Sequence, residues 1–157
     1  KNNSKILDAG CGTGNLLKYF EDYKRSLDLY GIDISREMLE IAKEKLKKSK
    51  LYLQSAERLK FNNNFFDYIF STDAFHHYYN PDKVMKNFYR ILRKNGKLLV
   101  ADFNFGRFFN KLFHMIEPGN NQTYSPEEFR KLFKKHGFKL IKQEKVGMFT
   151  VVTVGIK

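Results

Sequence analysis

Only one cysteine, three prolines, ten glycines and no tryptophan occur in these 157 residues. A single cysteine cannot close an intrachain disulfide, which excludes a small disulfide-built secreted scaffold and points to a reducing, cytoplasmic setting. The scarcity of Gly and Pro excludes collagen-like and low-complexity chains, and a content of 42% hydrophobic residues excludes disorder. No apolar run approaches the roughly 20 residues needed to cross a bilayer as a helix. What is abundant is aromatic: 16 Phe and 9 Tyr. The expectation is one domain over residues 1–157 with a real core.

Acidic side chains are also in deficit, 17 Asp and Glu against 29 Lys and Arg, a net charge of +12. Such a balance invites a nucleic-acid or anionic-surface reading. Only 7 of the 29 basic residues are Arg, however, and Arg is the residue favoured for bidentate phosphate and guanine contacts. Charge alone therefore selects no partner.

Five short apolar segments read as strands: Lys5 to Ala9, Leu29 to Asp33, Leu51 to Ser55, Asp67 to Ser71 and Lys97 to Phe103. Helical faces lie between them, formed by Leu16, Leu17, Phe20 and Tyr23, by Met38, Leu39, Ala42 and Leu46, and by Val84, Met85, Phe88, Ile91 and Leu92. Asn80-Pro81 supplies an N-cap and a first-turn proline, Gly96 a left-handed stop, and Ser125-Pro126-Glu127-Glu128 a capping box for a last helix running to Gly137. Phe138 to Val146 and Phe149 to Ile156, separated by Gly147-Met148, form an antiparallel hairpin. The predicted fold is α/β, a doubly wound, mostly parallel seven-stranded sheet with a C-terminal antiparallel hairpin and helices on both faces. The first strand begins about four residues in, without an initiator Met, so the chain reads as a fragment lacking an N-terminal cap over its ligand crevice.

The sharpest signal is Ile6-Leu7-Asp8-Ala9-Gly10-Cys11-Gly12-Thr13-Gly14, an apolar strand entering three alternate glycines and then a helix. Glycines let the backbone turn at positive φ and approach a ligand, while free amides at the helix start offer donors. A dinucleotide fingerprint would place its third glycine at position 15, which is Asn, and no Lys-Ser or Lys-Thr follows to make a P-loop. Asp33 ends the second strand, where a carboxylate accepts both ribose hydroxyls of a nucleoside. Asp8, two residues before the first glycine, would repel a pyrophosphate and suits a cofactor bearing an ammonium and a sulfonium.

With these residues the sequence resembles the class I, seven-stranded, Rossmann-like S-adenosylmethionine-dependent methyltransferases, in particular the small-molecule group that includes quinone-biosynthesis methyltransferases. The resemblance covers nearly the whole chain. It implies that the loop Asp8, Gly10, Cys11, Gly12, Thr13 and Gly14 wraps the methionine end of the cofactor, that Asp33 binds the ribose and that Ile34 packs on the adenine. It further implies that Ser55-Ala56-Glu57 reads the adenine amino group through Ala56 and Glu57, with Glu57 where Asp is commoner, and that the Ser71 carbonyl of Phe66-Asp67-Tyr68-Ile69-Phe70-Ser71 faces the methionine amine. Arg93 to Val100 resembles the family's turn into the fifth strand. Each residue also has a plainer structural role: Asp8 as a helix-start charge, Glu57 as a solvated side chain, Cys11 as a small apolar filler.

Methyl transfer from a sulfonium depends mainly on alignment, worth up to roughly 7 to 11 kcal/mol, and needs a base only where the acceptor keeps its proton. His76 and His77, in Asp73-Ala74-Phe75-His76-His77-Tyr78-Tyr79 after the fourth strand, are the candidate catalytic bases. His76, His77, His114, His136 and Cys11 show no metal-ligand spacing, so no metal is expected. Phe105, Phe108, Phe109, Leu112, Phe113 and Ile116 recur at helical spacing, an amphipathic helix suited to core, to an acceptor pocket or, less readily, to a membrane surface. The resulting function is methyl transfer from S-adenosylmethionine to an oxygen, nitrogen or carbon of a small molecule, releasing S-adenosylhomocysteine. Its rivals are an RNA methyltransferase and a non-catalytic S-adenosylmethionine-binding module.

Overall fold

The computed structural model describes residues 3–23, 26–103 and 123–157. The amphipathic helix expected between Phe105 and Ile116, with His114, lies outside the described residues. The chain order is β1 (Lys5–Ala9), α1 (Asn15–Tyr23), β2 (Asp28–Asp33), α2 (Arg36–Lys45), β3 (Lys50–Leu53), a 3₁₀ turn (Ala56–Arg58) and β4 (Phe66–Thr72). A second 3₁₀ turn (Phe75–His77), α3 (Pro81–Ile91), β5 (Leu92–Phe103), α4 (Pro126–Lys135), β6 (Lys139–Val146) and β7 (Thr150–Ile156) follow.

The strands form one sheet in the order β3-β2-β1-β4-β5-β7-β6. β1 to β5 pair in parallel, and β7 runs antiparallel to both β5 and β6. Successive strand residues face opposite sides of the sheet. Ile6 and Leu29 accordingly join Leu17, Leu39, Ala42 and Leu46 of α1 and α2 in one core, while Leu7 and Tyr30 join Val84, Phe88, Phe129 and Phe133 of α3 and α4 in the other. Each fully buried Leu or Phe contributes about 1.5–3 kcal/mol, so the two apolar faces of the sheet bind the helices that cover them.

The helix starts follow their caps. Asn80 accepts the Lys83 N–H at 2.9 Å ahead of Pro81, and Ser125 and Glu128 exchange reciprocal hydrogen bonds. Three expectations are corrected. Gly96 is not the left-handed stop after α3: the positive φ of 65° belongs to Asn95, and Leu92 already pairs with Phe66 as β5 begins. Asn tolerates that conformation, and Gly96 is small because a Cβ there would lie 2.8 Å from the Arg93 carbonyl oxygen. Tyr23, placed on the apolar face of α1, is exposed in its last turn, and Met38, placed on that of α2, is partly exposed. The last helix ends at Lys135, with Gly137 at φ 84° turning the chain into β6.

β1 is central because the chain first winds outward through β2 and β3, then crosses back to β4 and β5. This reversal opens a crevice at the carboxyl ends of β1 and β4, where open α/β sheets bind ligands.

Candidate functional site

The glycine loop is stapled to the end of β2. The N–H groups of Gly10 and Cys11 both donate to the Ile32 carbonyl at 2.9 Å, and Gly14 N–H donates to the Cys11 carbonyl at 2.8 Å. Asp33 receives the Gly12 N–H on Oδ2 at 2.8 Å and the Ser35 N–H on Oδ1 at 2.9 Å. One carboxylate thus fixes both the loop and the start of α2, with lone pairs left over toward the crevice.

The three glycines have different reasons. Gly10, at φ 77°, lies so near the segment after β4 that a Cβ would come within 2.4 Å of the Ala74 Cβ, and one on Gly14 would come within 2.7 Å of Leu46 Cδ1. Gly12, at φ 50°, would meet nothing within 4 Å among the described residues. Gly10 and Gly14 are small because protein surrounds them; Gly12 borders open space. Tyr78 closes the other side, its hydroxyl donating to the Ala9 carbonyl at 3.1 Å and standing 3.2 Å from Ser71 Oγ.

A cavity of about 310 Å³ lies between these walls. Gly10, Gly12, Asp33, Ile34, Ala56 and Glu57 line it, as does His77. Ile34 is 71% exposed, an apolar side chain left at the crevice rather than in the core. Glu57 follows the Ser55 cap of the first 3₁₀ turn, and its Oε1 accepts the Asn80 N–H at 3.0 Å. The remaining sequence-derived residues are placed otherwise. Ser71 is buried in β4, behind Tyr78, and Thr13 does not line the cavity. Cys11 packs into the α1–α2 core near Gly31, where burial, then Asp8 and Asp33, push its thiol upward; its side chain is the apolar filler.

Asp8 is 1% exposed and its Oδ1 has no hydrogen-bond partner among the described residues. Burial, with the nearby Asp33 charge second, pushes its carboxyl up to about 7. The two histidines separate: His77 lines the cavity, whereas His76 is buried beneath it, its Nδ1 2.6 Å from Asp102 Oδ1. Sequence reasoning missed Gln54, Met38, Asp73, Ala74, Tyr78 and Tyr79 as lining residues. The small residue Ala74 facing Gly10 was the one hint; the others reach the crevice through topology, which spacing does not encode.

A loop of this shape, a carboxylate ending β2 and an apolar shelf at Ile34, all at the switch point of the sheet, define a doubly wound protein with a ligand crevice at that point. The chain belongs to the class I S-adenosylmethionine-dependent methyltransferases: the family model described as "Methyltransferase domain" matches residues 7–100. The chain is 30% identical over 115 residues to a demethylmenaquinone methyltransferase of Thermotoga maritima, covering 71% of this chain and 50% of that one. It is 30% identical over 170 residues to a ubiquinone/menaquinone biosynthesis C-methyltransferase of Rickettsia felis, covering 87% and 68%. A solved S-adenosylmethionine-dependent methyltransferase from Aquifex aeolicus shares the fold, with a TM-score of 0.84 at 22% identity over 99% of this chain and 83% of that one. The chain thus spans about half the length of the Thermotoga relative.

Proposed function

We propose that this protein transfers a methyl group from S-adenosylmethionine to a small-molecule acceptor, within one domain over residues 1–157. The observation that carries the reading is the buried, unpartnered Asp8 oxygen in the strand leading into the loop, together with the open space at Gly12. Both fit a ligand that brings an ammonium to Asp8 and lies against the Gly12 backbone. Asp33 would hold the ribose hydroxyls, Ile34 and Ala56 would pack on the adenine, and Glu57 would accept from its amino group. Gly10, Cys11, Thr13 and Gly14 would shape the loop through their backbone. When bound, S-adenosylmethionine supplies an activated methyl whose departure leaves a neutral thioether.

Of the two histidines, His77 is the one that would take a proton from an acceptor, because it lines the cavity. His76, held by Asp102, would position the turn that carries it. The quinone methyltransferases among its relatives support a small acceptor. A cytoplasmic setting is supported by the single, buried cysteine, and among the described residues no helix is long and apolar enough to cross a membrane. Calorimetry with S-adenosylhomocysteine tests the cofactor site: saturable one-to-one binding that Asp33→Ala abolishes is expected, and binding of NADH or ATP instead would overturn it. The second reading, methylation of RNA, is favoured by the net charge of +12 and predicts RNA retention that falls steeply between 50 and 200 mM salt.

A further inference from the structure

The cavity has the opposite sign to the chain that surrounds it. Asp33, Glu57 and Asp73 stand on its walls, Asp8 and Asp102 are buried close by, and no Lys or Arg is among its described lining residues, although the chain carries a net +12. Asp33 and Glu57 already have backbone N–H partners and roles toward the nucleoside. Asp73 has neither. It follows β4 at φ 50°, its own N–H donating to the Ala101 carbonyl at 2.9 Å, and no hydrogen bond to its carboxylate is formed among the described residues. Its neighbours on the wall are Ala74, His77 and Tyr79, and Tyr79 is 80% exposed with its ring at the rim.

We propose that Asp73 selects an acceptor bearing an amine, which enters the cavity as an ammonium held by this carboxylate beside the Tyr79 ring. The inference rests on the methyltransferase reading above and names its substrate class. A carboxylate gains a charge-assisted hydrogen bond from an ammonium, an aromatic face attracts the same charge, and a neutral hydroxyl gains less from both. An anionic acceptor, whether a phosphate, a carboxylate or a phenolate, meets like charge with no Lys or Arg among the described lining residues to offset it. Asp73 is exposed at the cavity wall; its partial burial, then the Asp102 charge, raises its carboxyl above the ordinary value, with His76 opposing.

The reaction balances with the residues present. One ammonium proton passes to the His77 imidazole, and the freed nitrogen lone pair attacks the sulfonium methyl carbon. The carbon–sulfur bond breaks with its electron pair on sulfur, giving a methylammonium and a neutral thioether, and His77 releases its proton to solvent. Two positive charges enter and two leave.

The test uses the full chain and a set of primary amines, each paired with the alcohol and the carboxylate of the same carbon skeleton. S-adenosylhomocysteine binding by calorimetry is measured first; its absence overturns the methyltransferase reading itself. With that binding present, product release confined to amines supports the proposal, while turnover of alcohols or carboxylates as fast as their paired amines, or of no amine at all, overturns it. A second readout is independent of turnover: ligand-detected NMR of the best amine on the chain saturated with S-adenosylhomocysteine. Asp73→Asn is expected to weaken that amine about 10- to 100-fold while S-adenosylhomocysteine affinity stays within about twofold. Equal amine binding by Asp73→Asn and the native chain overturns the proposal.

Discussion

Asp102 grips His76 in two places: its Oδ1 stands 2.6 Å from the imidazole Nδ1, and its Oδ2 accepts the His76 backbone N–H at 2.8 Å. The same carboxylate takes the Phe103 N–H at 2.7 Å. At this distance one hydrogen lies between the ring nitrogen and the carboxylate oxygen. Asp102 closes the end of β5 onto the 3₁₀ turn Phe75–His77, and through it onto the wall that presents His77.

Asp102→Asn therefore sets an amide NH₂ against one of three donors in a buried site. Each stranded donor costs about 1–3 kcal/mol, and the denaturant midpoint is expected to fall accordingly. Because the turn moves and the glycine loop does not, S-adenosylhomocysteine affinity should stay within about twofold while turnover declines. A variant as stable as the native chain would remove the positioning role.

The distinction between Gly10 and Gly12 yields a paired prediction. Gly10→Ala drives a Cβ to 2.4 Å from Ala74 Cβ at φ 77°, and overpacking of this kind costs about 1–3 kcal/mol. Gly12→Ala pays only the left-handed backbone penalty, about 1–2 kcal/mol, since nothing lies within 4 Å of its Cβ. Thermal melts should rank Gly10→Ala as the less stable. Calorimetry should show Gly12→Ala losing affinity out of proportion to its stability, because its methyl occupies the space left for the ligand.

What the sequence discloses divides along the same lines. Local signals suffice for the strands around Leu7, Ile32 and Ile69, for the caps at Asn80 and Ser125, and for the glycine loop, since each is fixed by neighbours within a few positions. The antiparallel hairpin of β6 and β7 was also legible, from a short Gly-containing turn between two strand-like stretches. The failures are tertiary. Asn95, not Gly96, takes the left-handed position because Gly96 is needed small against Arg93, a contact invisible to spacing. Met38 fits a helical apolar stripe, yet the crevice lies beside it and it lines the cavity. The separation of His76 from His77 depends on Asp102, 26 residues from His76, and no periodicity links them.

Asp33 joins the loop to α2, so Asp33→Asn should act on binding through geometry as well as through the ribose. Its amide offers one oxygen where two N–H groups, from Gly12 and Ser35, now find acceptors. One of those donors loses its partner and faces an NH₂. Affinity for S-adenosylhomocysteine is expected to fall about 10- to 100-fold, measured by calorimetry, with Asp33→Ala lower still. Affinity within twofold of native would show that Gly12 holds its place without this carboxylate.

Asp8 makes both stability and binding depend on pH, in opposite senses. Its folded carboxyl is raised to about 7 from an ordinary 3.8, by burial first and by Asp33 second. Between those values the folded chain holds a proton that the unfolded chain has lost, so stability is greatest below about 4 on this account and falls as pH rises to about 7. The full displacement corresponds to at most about 4 kcal/mol. Binding runs the other way, because a ligand ammonium requires the ionised carboxylate. S-adenosylhomocysteine affinity should therefore rise about tenfold per pH unit up to about 7 and level off above it. Asp8→Asn keeps the shape and removes the proton: its affinity should be weak and flat across pH 5.5 to 8.5, and its stability at pH 8 should exceed that of the native chain. A native affinity profile equally flat would show that Asp8 does not meet the charged end of the ligand.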